Sequence, residues 1–254
     1  MPNLAQIEHN SPTFDRGIGL YVHVPFCQTK CPYCDFNTYV GIEDQIPLYV
    51  TALTSELNGW GNLLSKPPVR TIFLGGGTPS YLPIDALESI LRTIRSSFRI
   101  SRSAEITLEC NPGDVTIEKA TSWISSGVNR ISLGIQSFDD GLLSLLGRRH
   151  TALDANQAFW ALRSVGFLNQ SIDLIYGLPY QTIEQWSDTL DQAISLEPEH
   201  ISLYSLQIEK GTPLAVDVIT GRYPVPDDDL AADMYEHAQH RLDENGFTQY
   251  EISN

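Results

Sequence analysis

The sequence is poor in cysteine, methionine and positive charge. Its 254 residues hold four Cys and two Met, and 16 Lys and Arg stand against 31 Asp and Glu, for a formal net charge of −15 and a pI near 4.6. So few basic residues argue against a general nucleic-acid binder, because phosphate contacts draw on clustered Lys and Arg. The acidic excess reads as a solvated surface. Cysteines this few, three of them within one short stretch, do not make a disulfide framework and suit a reducing cytoplasm. No apolar run approaches the ~20 residues of a membrane-spanning helix. The start, Met1-Pro2-Asn3-Leu4-Ala5-Gln6, has neither the basic nor the apolar region of a secretory signal. What remains is an ordinary globular composition, 42% hydrophobic and 9% aromatic, enough for one large domain with a real core.

Residues 1–18 read as a flexible lead-in and 19–254 as one core domain. Gly19 to Val24 is aromatic and β-branched, a first strand that Pro25 ends. A helix is expected from about Asp44, with Pro47 in its first turn and Tyr49, Leu53, Leu57 and Trp60 as its apolar stripe. The unit then repeats. Strands are expected at 69–74, 105–109, 130–135, 171–175 and 200–206. Helices are expected along Ile84 to Phe98, over 117–126 and 152–164, from Ile183 to Ile194 and from Leu230 to Leu242. The stretch 209–228, with three prolines, reads as a long surface loop, and Phe247 to Asn254 starts strand-like and then stops. That ending suggests a fragment of a longer protein. Six strands alternating with helices make an α/β fold with a parallel sheet, open or curled into a partial barrel. Either form places ligands at the carboxyl ends of the strands.

Those ends carry the chemistry. After the first strand comes Cys27-Gln28-Thr29-Lys30-Cys31-Pro32-Tyr33-Cys34, a C-x3-C-x2-C spacing that can bring three thiolates to one metal centre. Three thiolates leave one position of a four-iron cluster open, and open positions mark reactive rather than structural sites. The bland alternatives are a zinc loop with His23 as fourth ligand, and a loop of free thiols. Zinc favours paired C-x2-C knuckles, and no second pair is present. Gly75-Gly76-Gly77-Thr78 follows the second strand and permits close backbone approach to a ligand; without Gly-Lys-Ser/Thr it is not a P-loop. Glu109 ends the third strand, Gln136 follows the fourth with Arg148 downstream, and Asp173 lies in the fifth. Arg148-Arg149-His150 reads as a surface patch in which one Arg could hold a carboxylate bidentately. Cys110 reads as a small core residue, and His237 and His240 as a surface helix face.

With its aromatic residue, Tyr33, just before the last cysteine, the C-x3-C-x2-C stretch resembles the radical S-adenosylmethionine superfamily. The segments Tyr21–Cys27, Phe73–Leu82, Glu109–Pro112, Gly134–Phe138, Asp173–Pro179 and Tyr250–Asn254 resemble its coproporphyrinogen III dehydrogenase-like branch. The resemblance implies a partial (β/α)6 barrel and a [4Fe–4S] cluster held by Cys27, Cys31 and Cys34. The open iron would take the amino and carboxylate groups of S-adenosylmethionine, whose cleavage by one electron gives a 5′-deoxyadenosyl radical. It further implies that Tyr21, Gly76, Gly77, Thr78, Glu109, Gln136, Arg148 and Asp173 line the S-adenosylmethionine site, that Tyr33 contacts a cofactor through the cluster loop, and that a flavodoxin- or ferredoxin-like protein supplies the electron.

Two departures refine the expectation. The dehydrogenases carry a further cysteine two residues after the third, where this chain has Phe36. Phenylalanine there is similar to the HemW-type haem chaperones, which implies haem binding and delivery to an acceptor protein rather than oxygen-independent decarboxylation of coproporphyrinogen III. The chaperones also continue past the Tyr250–Asn254 stretch into a haem-associated motif and a small helical domain, so the chain is expected to lack a C-terminal domain. A different radical enzyme, such as a methyltransferase, and a structural zinc-loop protein are the remaining alternatives.

Overall fold

The computed structural model describes residues 17–252; the expected lead-in lies outside them up to residue 16, and Ile18 already belongs to the first strand. Six strands form one all-parallel sheet in the sequential order β1 to β6: β1 Ile18–Val24, β2 Pro68–Gly76, β3 Arg99–Cys110, β4 Arg130–Gln136, β5 Gln170–Tyr176 and β6 His200–Ser205. Between them run α1 Ile46–Leu63, α2 Ile84–Ser97, α3 Ile117–Ser125, α4 Asp140–Leu145, α5 Ala152–Ser164 and α6 Ile183–Ser195; α7 Pro213–Ile219 and α8 Asp228–Glu244 follow β6. Sequential order resolves the choice left open by the strand pattern. A doubly wound sheet reverses direction at a switch point, whereas here every crossover steps the same way. With right-handed crossovers all helices then cover one face, and the twisted sheet curls into a partial (β/α)6 barrel.

Strand alternation separates the two faces. Val22, Val24, Ile72, Leu74, Ile106, Leu108, Ile131, Leu133, Ile172 and Leu174 are buried in one core with the helices. The alternate positions are polar: Thr107 and Glu109 on β3, Ser132 and Gln136 on β4, Ser171 and Asp173 on β5. The helices start where local chemistry directs. Thr151 and Thr182 form capping boxes with Asp154 and Gln185, and Asp139, Thr116, Thr212 and Asp227 cap α4, α3, α7 and α8. Among the described residues no helix is long and apolar enough to cross a membrane.

Three expectations need correction, and one helix went unforeseen. The stretch 209–228 is not all loop: Thr212 caps α7, which buries Leu214 and Ala215. Residues 247–252 form no strand, and 253–254 lie outside the described residues. Trp60 does not join the buried stripe of α1. It is exposed, and Gly61 packs there instead, so close to the Ser97 carbonyl that a Cβ would collide with it. The short α4 had no apolar period to announce it, being only six residues long.

Candidate functional site

The carboxyl ends of the strands open into a cavity of about 710 Å³. Cys27, Cys31 and Cys34 line it from the loop after β1, and Tyr33 lies between the last two. The loop owes its shape to backbone bonds: Cys27 N–H donates to Tyr39 O at 3.0 Å, Cys34 N–H to Cys31 O at 3.1 Å, and Tyr39 N–H to Pro25 O at 2.8 Å. Two sulfurs are also approached from other loops. The Thr78 hydroxyl donates to Cys27 Sγ at 3.3 Å, and Arg148 Nη1 to Cys31 Sγ at 3.6 Å. Burial, ahead of any charge, pushes the Cys34 thiol and the Tyr33 phenol above their ordinary ranges.

The glycine turn after β2 is built for close approach. Gly76 has φ +109°, a conformation costly for any side chain, and a Cβ there would collide with the His23 ring. A Cβ on Gly77 would meet Val24 O and Phe26 O at 2.8 Å. Gly76 N–H donates to Glu109 Oε2 at 2.9 Å, so β3 and the glycine turn share one carboxylate. Desolvation is the main cause that lifts Glu109 to about 7. The Asp173 charge adds to the lift, and the Gly76 bond opposes it. Desolvation also raises Asp173, against the pull of hydrogen bonds from Ser132 and Ser202; the Ser132 hydroxyl lies 2.9 Å from Oδ2.

Gln136 stands at the end of β4 with φ +72°, where the register with β5 shifts. A left-handed backbone at a non-glycine residue beside a cavity is a strained position of the kind found at binding sites. Arg148 reaches in from the turn after α4. Its Nη2 donates to Gly134 O at 2.7 Å, while its Nε is buried with no hydrogen-bond partner.

Eleven of the twelve residues the sequence singled out therefore line one cavity: the three cysteines, Tyr33, Gly76, Gly77, Thr78, Glu109, Gln136, Arg148 and Asp173. Tyr21 does not line it. Its largely exposed ring stacks on Phe73, and its hydroxyl pairs with His23 Nδ1 at 3.0 Å. The cavity also takes in Arg149 of the expected surface patch, and residues that sequence reasoning passed over: Ser132, Gly134, the β6 end from Leu203 to Gln207, and Ile252. Ser132 and Gly134 could have been found by stepping back two at a time from Gln136 along its strand. Cys110 is buried in the core.

These residues fit an iron–sulfur cluster and a polar ligand better than a zinc ion. Among the described residues no three His, Cys, Asp or Glu side chains are gathered as one metal ion would need. His23, the fourth ligand a zinc loop would require, has both ring nitrogens engaged, Nδ1 with Tyr21 and Nε2 with Asn37 O at 2.9 Å. A four-iron cluster spreads its cysteines over separate irons, and hydrogen bonds to the sulfurs tune it. Beside the sulfurs lie an unpartnered guanidinium nitrogen, two carboxylates and a side-chain-free glycine turn, a set suited to a ligand with amino, carboxylate and hydroxyl groups.

Comparison with known proteins agrees. The model of the radical SAM superfamily matches residues 21–193. The chain is 39% identical over 242 residues to the heme chaperone HemW of Haemophilus influenzae, covering 93% of this chain and 62% of that one. It is also 39% identical over 239 residues to HemW of Escherichia coli K12, with the same coverage of 93% and 62%. It is 38% identical over 237 residues to the mitochondrial radical S-adenosyl methionine domain-containing protein 1 of Mus musculus, covering 92% and 53%. The structure superposes on coproporphyrinogen III oxidase (HemN) of Escherichia coli, a radical SAM enzyme, with a TM-score of 0.84 at 27% identity, over 93% of this chain and 55% of that one. The chain thus spans about three fifths of the length of the bacterial relatives it matches. Running from β1 through α6, the match takes in the cysteine loop, the glycine turn and both cavity carboxylates, and this chain belongs to the radical SAM superfamily.

Proposed function

We propose that this chain is the cluster-bearing core, residues 19–254, of a HemW-type haem chaperone working in the cytoplasm. Cys27, Cys31 and Cys34 hold a [4Fe–4S] cluster. Gly76, Gly77, Thr78, Glu109, Gln136, Arg148 and Asp173 hold S-adenosylmethionine, with Tyr33 behind the sulfurs and Tyr21 outside the cavity wall. The cluster supplies one-electron chemistry and an open iron site. The protein's own part is placement. Glu109 receives an amino group beside the backbone of Gly76. Arg148 sets its guanidinium charge beside a carboxylate, and Gln136 and Asp173 take hydroxyls. Haem is bound and passed to an acceptor protein, with the reducing electron supplied by a flavodoxin- or ferredoxin-like donor.

The observation that carries this reading is the convergence of three cysteines from one loop with Glu109, Arg148 and the glycine turn on a single cavity. Haem rather than porphyrinogen chemistry is favoured by Phe36, exposed at the cavity rim, and by the names of the bacterial relatives. The specific alternative is oxygen-independent coproporphyrinogen III oxidation, favoured by the superposition on HemN. Anaerobic reconstitution should give about four irons per chain and an EPR signal that S-adenosylmethionine alters. Zinc uptake without a cluster would overturn the assignment. The reconstituted protein should bind haem with a shifted Soret band and leave coproporphyrinogen III unchanged; conversion to protoporphyrinogen would make it the enzyme.

A further inference from the structure

Arg149 takes no part in the ligand set described above, yet it lines the same cavity. Its guanidinium is shared between two loops. Nη2 donates to Asp114 Oδ1 at 2.9 Å, and Nη1 donates to Gln28 Oε1, between Cys27 and Cys31. Asp114, on the single helical turn after β3, is only 5% exposed. Its second oxygen accepts from the Ser80 hydroxyl at 2.8 Å. Ser80 in turn accepts from Asn111 N–H at 3.0 Å, and its carbonyl takes Lys119 Nζ at 2.8 Å. The loops after β1, β2, β3 and α4 are therefore tied through one buried carboxylate and one arginine.

We infer that Arg149, anchored on Asp114, is a positioning residue that holds Gln28 and thereby sets the spacing of Cys27 and Cys31 before the cluster is inserted. The geometry explains why an arginine stands here. One planar fork reaches a carboxylate and an amide on different loops at once, which the point charge of lysine does not do. Each carboxylate oxygen of the buried Asp114 accepts from one donor, so the anchor is rigid. The other side of the loop is held independently: Leu214 N–H donates to Pro32 O at 2.9 Å, and Gly147 leaves no room for a Cβ beside Pro32. With Pro32 fixed on one side and Gln28 on the other, the cysteine loop is set at both ends. Bonds that orient metal ligands from behind typically change metal retention by ~10–100-fold when removed.

The inference rests on the proposed cluster for its second readout but not for its first. In the metal-free protein, hydrogen exchange over residues 27–39 should quicken in Gln28→Ala and Arg149→Met, with exchange in β2 to β5 unchanged. After reconstitution both variants should lose iron to a chelator ~10-fold faster than the parent. Arg149→Met should add little in the Gln28→Ala background, because both remove the same link. Arg149→Lys should rescue only in part. Gln28 is exposed, so Gln28→Ala should keep the parent thermal midpoint and decides the matter even if Arg149→Met folds poorly. Unchanged loop exchange in Gln28→Ala overturns the inference, as does additivity of the two substitutions. A parent protein that takes up no iron overturns the proposed function instead, and leaves the exchange measurement to judge the clasp.

Discussion

Glu109 offers a test that needs no cofactor. Its carboxylate ends β3 and accepts the Gly76 N–H. Desolvation, aided by the nearby Asp173 charge, lifts its pKa from 4.5 to about 7. The direction fixes the sign. Between pH 4.5 and 7 the folded state holds a proton on Glu109 that the unfolded chain has released. Stability therefore falls as pH rises through this window and levels off above about 7. A displacement of about 2.5 pH units at ~1.36 kcal/mol each makes the full loss roughly 3 kcal/mol. Glu109→Gln keeps an oxygen for Gly76 N–H and removes the charge.

The variant should be more stable than the parent at pH 8 by roughly 2–3 kcal/mol and nearly equal to it at pH 4.5, measured by urea unfolding of the metal-free protein across that range. The same charge is what an ammonium ligand would seek. S-adenosylmethionine affinity of the reconstituted parent should therefore rise with pH up to about 7, and the variant should bind weakly at every pH. Stability curves of parent and variant that run parallel from pH 4.5 to 8 would refute the reasoning, because they would mean that Glu109 is solvated and ordinary.

Other substitutions separate site from scaffold. Cys31→Ser should abolish cluster uptake, read as iron content, while far-ultraviolet circular dichroism and the thermal midpoint stay near the parent values, because the loop lies outside the core; global unfolding would make the loop structural. Gln136→Gly relieves a left-handed backbone, so stability should hold or rise by roughly 1 kcal/mol while S-adenosylmethionine binding weakens. Trp186 is fully buried, and its Nε1–H donates to Met234 O at 2.9 Å, joining α6 to α8; Trp186→Phe should cost about 1–3 kcal/mol in chemical denaturation and leave iron content unchanged.

The sheet was legible because its signals are local. Each strand is a short β-branched run, and each helix pairs an apolar period with a cap; α5 spans 152–164 as its period implies. The curl was legible through the resemblance but not from the strand pattern, since strand order depends on which neighbours pair, and no single stretch encodes that. α7 hid because 209–228 carries three prolines, yet Pro213 sits in its first turn, where the missing N–H costs nothing. Trp60 misled because an apolar side chain at helical spacing reads as core, whereas α1 meets α2 so closely at Gly61 that only glycine fits. At the site, the cysteines and glycines announced themselves by spacing. Arg149 did not, because its meaning lies in two partners, 35 and 121 residues away in the chain.

Four departures from the simplest local rules meet at one place. Gly76 and Gln136 both take positive φ, Glu109 is held near neutrality, and Arg148 leaves a buried Nε without a partner. Gly76 adopts its conformation without strain, the other three cost free energy in the isolated protein, and all four line one cavity at the carboxyl ends of β2, β3 and β4. On the helix-covered face of the sheet the same strands show plain apolar alternation, packed in one cluster. A cation entering beside the three cysteines would relieve Glu109, so the cavity is expected to gain stability from such a ligand.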